Sequence, residues 1–222
     1  MEIGTREHFR HFDLQNGYLR ASAGGVTLTG AGADWGDQVV EVTVRQIQVG
    51  ASVMFRARDG QNGYVWTVGG PLGSEGGLGQ LRMSKVVDGR STLLGTVVPL
   101  TPAPGNTYRL RVEAVGDRIR TFVDGVLVDD RVDATFPQGR VGTYLGGADV
   151  GEYDDLTVRT PGGDLLLEED FSGDLSAWDV PPTRQDVPLV VFSKPMPAGR
   201  VVLGPISADG TEDSPAVTFV VE

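Results

Sequence analysis

The sequence feature that most constrains the fold is the run Tyr108–Val158, in which strands and turns alternate almost without a gap. Between residues 108 and 114, apolar side chains alternate with charged ones, a period of two that places the apolar set on one face of a sheet. Gly116-Asp117 and Asp124-Gly125 are turn dipeptides, and an Asp-Gly pair accepts the positive φ angles of a tight hairpin. The run therefore predicts three consecutive strands of an antiparallel meander.

Composition extends this prediction to the whole chain. The 222 residues include 32 glycines and 13 prolines, which suit many tight turns, and Val-rich runs such as 38–44 suit strands. We expect an all-β fold, an antiparallel β-sandwich, because such sandwiches often reach roughly 200 to 250 residues as one unit. Residues 1–180 are predicted to form the sandwich. Residues 181–222 are predicted to form a Pro-rich linker and a small β extension, since prolines divide them into edge-type pieces.

Charge and residue usage exclude several classes of function. The net charge of -11 argues against a nucleic-acid binder, which needs a basic surface, whereas a neutral or cationic partner is easier to accommodate. The chain has no cysteine, so disulfides and thiolate metal sites are excluded. No apolar run approaches the roughly 18 residues of a membrane span. The first residues, MEIGTREHFRHF, lack the apolar core of a secretion signal, so secretion would require a larger precursor.

Four segments carry a family resemblance: WGDQVVEVTVR, VMFRARDGQNGYVWTV, YRLRVEAVGDRIRTFVDGVLV and RVGTYLGGADVGEYDDLTV. Together with LLLEEDFSGDLSAW they cover roughly Asp34 to Trp178. This pattern resembles the concanavalin A-like jelly-roll domains, and it is most similar to the L-rhamnose-binding modules of bacterial α-L-rhamnosidases (carbohydrate-binding module family 67 type). Laminin G-like domains share the strand pattern but bind other sugars or proteins. The resemblance implies a glycan or terminal monosaccharide as the partner, and an extracellular or cell-surface location.

A candidate sugar site lies in one predicted hairpin. Sugars present hydroxyl pairs and an apolar ring face, which planar polar side chains and aromatic platforms recognise. Asp59, Asn62, Tyr64 and Trp66 supply both kinds of group. In the rhamnose-binding modules a polar pair at the corresponding turn contacts the sugar, with a calcium ion at the site. An equally good interpretation is structural, because Asp-Gly-x-Asn-Gly closes an ordinary turn, and Tyr64 and Trp66, which share one strand face, could be core.

Calcium is the metal that this composition favours, because it prefers oxygen ligands. Asp154 and Asp155 begin the closing strand, where related jelly rolls hold a structural calcium ion against an acidic residue of the opening strand. Asp13, Glu169 and Asp170 are the candidate partners. Since adjacent residues on a strand point to opposite faces, we expect at most one of Asp154 and Asp155 to bind a given ion. A solvated acidic strand end is the alternative.

The polar side of the meander is a further candidate. Arg111, Glu113 and Arg120 share polar strand faces and could line a groove, although cross-strand ion pairing on a wet face explains them more simply. No nucleophile elbow, zinc-protease motif or phosphate loop is present, and the many acidic residues single out no glycosidase pair.

Three hypotheses follow. The first is a non-catalytic carbohydrate-binding module, calcium-assisted, for a terminal sugar such as L-rhamnose. The second is a structural or adhesion module of a cell-surface, fibre or phage-tail assembly, in which residues 181–222 contact a neighbouring domain or assembly partner. The third is a small glycoside-active hydrolase of the same fold.

Overall fold

The computed structural model describes residues 2–4, 12–22, 25–69, 79–95, 98–100, 105–146, 149–179, 189–191, 199–203 and 217–221. The glycine-rich stretch 70–78 and most of the predicted linker lie outside the described residues. The strands in chain order are β1 (Glu2–Gly4), β2 (Phe12–Gln15), β3 (Tyr18–Ser22), β4 (Gly25–Thr29), β5 (Gln38–Gln48), β6 (Gly50–Asp59), β7 (Asn62–Gly69), β8 (Gln80–Val87), β9 (Arg90–Leu93), β10 (Val98–Pro99), β11 (Thr107–Val115), β12 (Arg118–Val123), β13 (Val126–Val132), β14 (Arg140–Leu145), β15 (Val150–Arg159), β16 (Leu165–Glu169), β17 (Trp178–Asp179), β18 (Leu189–Val191), β19 (Gly199–Leu203) and β20 (Val217–Val221).

The chain divides into two units. Arg10–Pro181 holds two large antiparallel sheets, and the other unit comprises Met1–Phe9 with Pro182–Glu222. In that other unit β1 pairs with β18, and β19 pairs with β20 as a separate hairpin. Whereas residues 1–180 were expected in the sandwich, the pairing of β1 with β18 places the first strand with the C-terminal segment.

Two sheets build the larger unit. The first has the order β10-β8-β7-β6-β14-β4-β17, with β9 on the side of β8. The second has the order β13-β12-β11-β5-β15-β3-β2, with β16 added to β15. The predicted meander is the β11-β12-β13 edge of the second sheet. All strand pairs in both sheets are antiparallel.

The meander turns follow the chemistry of their residues. Asp124 and Gly125 have φ angles of 49° and 80°, the two positive values that a two-residue hairpin of the I′ type needs. Gly116 also has a positive φ, of 56°. Because both turns are only two residues long, β11, β12 and β13 lie side by side with no loop of any length between them.

The core lies between the sheets. Alternate residues of each strand turn inward, and these buried side chains form one cluster that includes Val42, Leu110 and Val158 from the second sheet and Phe55 and Trp66 from the first. The two sheets are also joined by hydrogen bonds. The buried Tyr153 hydroxyl donates to the Ser52 carbonyl at 3.1 Å and accepts from the Ser52 amide at 2.9 Å. In the second sheet, the residues that alternate with these core positions point outward, away from the first sheet.

The first sheet is apolar on both faces. A second cluster on the face opposite the core comprises Leu28, Met54, Ala57, Val65 and Val86. Met54 lies between the core residues Val53 and Phe55, so its side chain points the other way. Strand β7 is consequently buried on both sides for most of its length.

One charged side chain is enclosed between the loops at one end of the sandwich. Arg56 is 1% exposed and has a positive φ of 45° at a bulge in β6. Its guanidinium donates to the carbonyl oxygens of Gly36, Ala114, Gly116 and Phe136, and to the carboxylate of Asp37. A buried charge needs such partners. Here they connect β6 to the residues before β5, to the end of β11 and to the loop before β14.

This architecture confirms the predicted fold class. The described residues of the larger unit form an antiparallel β-sandwich of the jelly-roll type, and none of them is helical. The described part of the chain contains no helix that is long and apolar enough to cross a membrane.

Candidate functional site

The polar residues of the β6-β7 hairpin close its turn. Asp59 Oδ1 accepts from the Gln61 amide at 2.8 Å and from Asn62 Nδ2 at 2.9 Å. Asn62 Oδ1 accepts from the Asp88 amide at 3.0 Å, which ties this turn to the β8-β9 turn. Burial would raise the pKa of Asp59, but the bonds from Asn62 and Gln61 outweigh it and lower that pKa. The pair thus has a complete structural role, and its assignment to a sugar site stays a prediction.

The two aromatic residues of the same hairpin belong to the core. Tyr64 and Trp66 share a strand face, as predicted, but that face is the inner one, and they are 0% and 1% exposed. The Tyr64 hydroxyl donates to Asp133 Oδ1 at 2.7 Å and accepts from the Phe136 amide at 3.2 Å. A buried ring presents no surface on which a sugar can stack. The expected platform is therefore corrected to two core side chains.

The acidic pair of β15 lies at a bulge. The register with β5 shifts between Asp154 and Thr157, and Asp155 has a positive φ of 48°. Thr43 on the outer face of β5 donates to Asp155 Oδ2 at 3.5 Å. The expectation that the two aspartates point to opposite faces was wrong, because the extra residue of a bulge breaks the alternation.

The other candidate calcium ligands are engaged locally. Glu169 accepts from the Phe171 amide at 2.9 Å and from the Trp178 indole at 3.1 Å. Asp170 accepts from Ser172, and Asp13 accepts from Gln15. Among the described residues, no group of three or more acidic or histidine side chains could hold a metal ion. A calcium site at Asp13, Asp154, Asp155 and Asp170 stays a prediction.

The outward side of the second sheet is rich in charged side chains from several neighbouring strands. We call it the charged face and define it by the outward residues of β13, β12, β11, β5, β15 and β3: Leu127, Asp130, Arg118, Arg120, Phe122, Arg109, Arg111, Glu113, Glu41, Thr43, Arg45, Glu152, Asp154, Thr157 and Arg20. Arginines and carboxylates alternate across the strands. The predicted cross-strand pairing is present throughout the middle of this face.

A ladder of ion pairs crosses the centre of the charged face. Glu113 Oε1 accepts from Arg111 Nη2 at 2.6 Å, and Glu113 Oε2 lies 2.6 Å from Arg120 Nη2. Arg111 Nη1 donates to Glu41 Oε1 at 2.8 Å, and Glu41 Oε2 accepts from Arg109 at 2.7 Å. The sequence of contacts is Arg120, Glu113, Arg111, Glu41, Arg109. Each glutamate therefore holds two guanidinium groups in fixed positions.

The protonation states of this ladder follow from its contacts. Burial alone would raise the pKa of Glu41, but the hydrogen bonds and charges of Arg109 and Arg111 outweigh it and lower that pKa. Burial would likewise lower the pKa of Arg111, and its bonds to Glu113 and Glu41 raise it. Both groups are ionised at neutral pH. The ladder is thus a fixed array of donors and acceptors.

The arginines at the two ends of the ladder, Arg109 and Arg120, have N–H groups that make no bond within the ladder. A guanidinium has five N–H groups, and Arg120 uses one nitrogen on Glu113 while Arg109 uses one on Glu41. Their remaining N–H groups make no hydrogen bond to a described side chain, although Asp130 lies across from Arg120 on β13. The side chains of Arg109 and Arg120 are 67% and 40% exposed, so these groups face solvent.

Apolar surface adjoins the ladder. The half-buried Phe122 ring lies beneath Arg111, with the guanidinium carbon 5.8 Å from the ring centroid. Its cross-strand neighbour Leu127 on β13 is 50% exposed. An aromatic ring and an exposed aliphatic side chain therefore lie beside charged planar groups on one surface.

A second ion-pair cluster occupies the other end of the face. Glu152 accepts from Arg45 at 2.8 Å and from Arg20 at 3.2 Å, and the Arg45 guanidinium stacks on the Tyr18 ring with 3.1 Å between its carbon and the centroid. Glu152, like Glu41 and Glu113, is held between two arginines. Sequence alternation had indicated only Arg111, Glu113 and Arg120, because the partners Glu41 and Phe122 depend on the register between strands.

No protein-family model and no curated protein sequence matches this chain. Solved structures do match it. The carbohydrate-binding module CBM66 from Bacillus subtilis is 21% identical, with 67% of this chain and 91% of that module covered and a TM-score of 0.57. A Bacillus subtilis protein of unknown function with a galectin-like fold is 11% identical, with 68% and 86% covered and a TM-score of 0.53. At these identities the matches establish the fold, a concanavalin A-like jelly roll.

Proposed function

We propose that this protein is a non-catalytic carbohydrate-binding module that binds its glycan on the charged face. The observation that carries the proposal is the Arg120-Glu113-Arg111 ladder beside Phe122, on a fold shared with a module named as carbohydrate-binding. The ladder places hydrogen-bonding groups without any side-chain rearrangement, so little conformational entropy is lost when a ligand binds.

The charges of the surface favour a neutral glycan. Each glutamate of the ladder is already paired with two arginines, so hydroxyl groups are the groups that can share its remaining lone pairs. The protein as a whole carries a net charge of -11, which repels anionic polysaccharides at long range. Sugar hydroxyls can both donate to Glu113 and accept from Arg120. A neutral sugar thus meets both needs without a change of charge.

The hydrolase alternative has less support. A glycosidase needs one protonated and one ionised carboxyl group at a defined separation. Glu41, Glu113 and Glu152 each accept from two arginines, which suits neither a general acid nor a free nucleophile. Asp154 is the one described carboxyl group whose pKa is raised, by burial and by its acidic neighbours, and a single such group does not make a catalytic pair.

The experiment is a titration calorimetry panel of neutral mono- and oligosaccharides, including L-rhamnose, against the wild type and two variants. Phe122→Ala removes the ring, and Arg120→Ala removes one end of the ladder. We expect each variant to weaken the best ligand by at least about tenfold, equivalent to about 1.4 kcal/mol. Arg90→Ala is the matched control, because Arg90 is an exposed arginine on β9 of the first sheet.

Two results would overturn the proposal. One is the absence of binding to every sugar of a broad panel. The other is binding that both charged-face variants retain while Asp59→Ala abolishes it, which would return the site to the β6-β7 hairpin. The terminal L-rhamnose ligand, the calcium requirement and an extracellular or cell-surface location stay predictions. Repeating the titration with a calcium chelator tests the second of these.

A further inference from the structure

The charged face is long and open along one row of residues. From this row we infer that the ligand is a stretch of several consecutive sugar residues within a polysaccharide, and not a single terminal sugar. The inference rests on the proposed function and specifies its ligand. It departs from the terminal monosaccharide that the sequence resemblance implies.

The row is defined by strand register. Leu127 is paired with Phe122, Phe122 with Arg111, Arg111 with Glu41, and Glu41 with Thr157. These five residues come from β13, β12, β11, β5 and β15, and all point outward. With neighbouring strands about 4.8 Å apart, the row extends for about 19 Å. That length exceeds what one sugar ring can contact.

The chemistry changes along the row in a way that suits successive sugars. Leu127 and Phe122 are apolar, Arg111 is a donor held in place, Glu41 is an acceptor, and Thr157 carries a hydroxyl. A chain lying across the strands would place a ring face on the apolar end and hydroxyl groups on the polar end. One monosaccharide could use only part of this set.

The strand connections leave the row without walls on the meander side. The β11-β12 and β12-β13 turns have two residues each, Gly116-Asp117 and Asp124-Gly125, and such turns cannot rise above the sheet. A site for a terminal sugar encloses most of its small ligand, which requires surrounding loops. An open platform instead gains affinity by contacting more of a longer chain.

The test measures affinity against ligand length. The probes are mono- to hexasaccharides of neutral β-glucan, xylan and fructan. The wild-type dissociation constant should fall at least about tenfold from the disaccharide to the hexasaccharide of the preferred series. Leu127→Ala, at one end of the row, should reduce this gain to within about threefold. Leu93→Ala is the matched control, since Leu93 is 45% exposed on β9 of the other sheet, whereas Leu127 is 50% exposed.

The outcomes separate this inference from the proposed function. If a monosaccharide binds as tightly as the hexasaccharide, the extended site is wrong and the carbohydrate-binding module stands. If the gain with length is equal in wild type and Leu127→Ala, the row is not the track that the chain follows. If no probe binds, both the function and the inference fail. Thermal melting of each variant verifies that the sandwich is intact.

Discussion

The β6-β7 hairpin and the charged face carry similar residue types and use them in opposite ways. In the hairpin, Tyr64 and Trp66 are fully buried, and Asp59 and Asn62 bond to backbone amides and to each other. On the charged face, Phe122 and Arg111 are only partly buried and their contacts run from strand to strand. Aromatic and planar polar side chains therefore form a structural element in one sheet and the proposed glycan surface in the other.

The difference arises from what covers each sheet. Strand β7 has a buried cluster on each side, so its aromatic residues have no route to solvent. Strands β11 and β5 have a core on one side only, so buried apolar residues alternate along them with outward residues that are mostly polar or charged. An antiparallel sheet with one wet face shows such clean alternation, whereas a doubly covered strand reads as a continuous apolar run.

The largest effect on the free energy of unfolding is expected from the loss of a buried aromatic side chain in the β6-β7 hairpin. Trp66→Ala should lower the free energy of unfolding by about 3–5 kcal/mol, because it empties a large volume in the core. Urea unfolding followed by circular dichroism measures the change. If Trp66→Ala has the wild-type urea midpoint but no longer binds glycan, Trp66 belongs to a ligand site and the comparison is wrong.

The next effect concerns Asp133, which receives the Tyr64 hydroxyl at 2.7 Å and Lys85 Nζ at 2.7 Å. Burial would raise the pKa of Asp133, but the bonds from Lys85 and Tyr64 outweigh it and hold that pKa well below its ordinary value. A carboxyl group of this kind stabilises the fold above its unfolded pKa of about 3.9, and that contribution is lost as the pH falls further.

Replacement of this group has a measurable consequence. Asp133→Asn should destabilise the protein by about 1–3 kcal/mol at neutral pH. The gap between variant and wild type should narrow as the pH falls below about 4. Urea midpoints across this range measure it, with Asp34→Asn as an exposed control that should follow the wild type. A gap that stays constant with pH would contradict the role of the ionised carboxylate.

The sequence was informative wherever a pattern acts locally. Alternation in residues 108–114 and the turn dipeptides predicted the meander, because period and turn chemistry are properties of neighbouring residues. Alternation also predicted that Tyr64 and Trp66 share a face. It could not say which face, although the absence of charge in residues 62–69 is typical of a strand covered on both sides.

Features that depend on contacts between distant strands were out of reach. The bulge at Asp155 gives no local signal beyond two adjacent aspartates, yet it places both on the outer side of β15. The ion pair between Arg111 and Glu41 depends on the register between β5 and β11. The two residues are 70 positions apart in the sequence. The candidate site is therefore a product of register, which the sequence alone does not define.

A smaller effect distinguishes a turn from a ligand site at Asp59. Asp59→Ala removes acceptors for the Gln61 amide and for Asn62, and should lower the free energy of unfolding by about 1 kcal/mol. Asp59→Asn, which keeps one acceptor oxygen, should lose less. Glycan affinity should be the same in both variants as in the wild type. A loss of affinity in Asp59→Ala without a change in the urea midpoint would assign Asp59 to the ligand.

The smallest effect on stability is expected where the effect on binding is large. Arg111 is 38% exposed, and ion pairs in such a position contribute about 0–1 kcal/mol, so Arg111→Ala should hardly move the urea midpoint. The same change removes the central cation of the ladder and leaves Glu113 and Glu41 with one arginine each, so affinity for the best glycan should fall by at least about tenfold. Arg111→Lys keeps the charge but cannot bond to both glutamates through a planar fork, and it should bind nearly as weakly as the alanine variant. Full binding by the lysine variant would mean that charge alone is recognised, and the fixed geometry of the ladder would then have no part in the site.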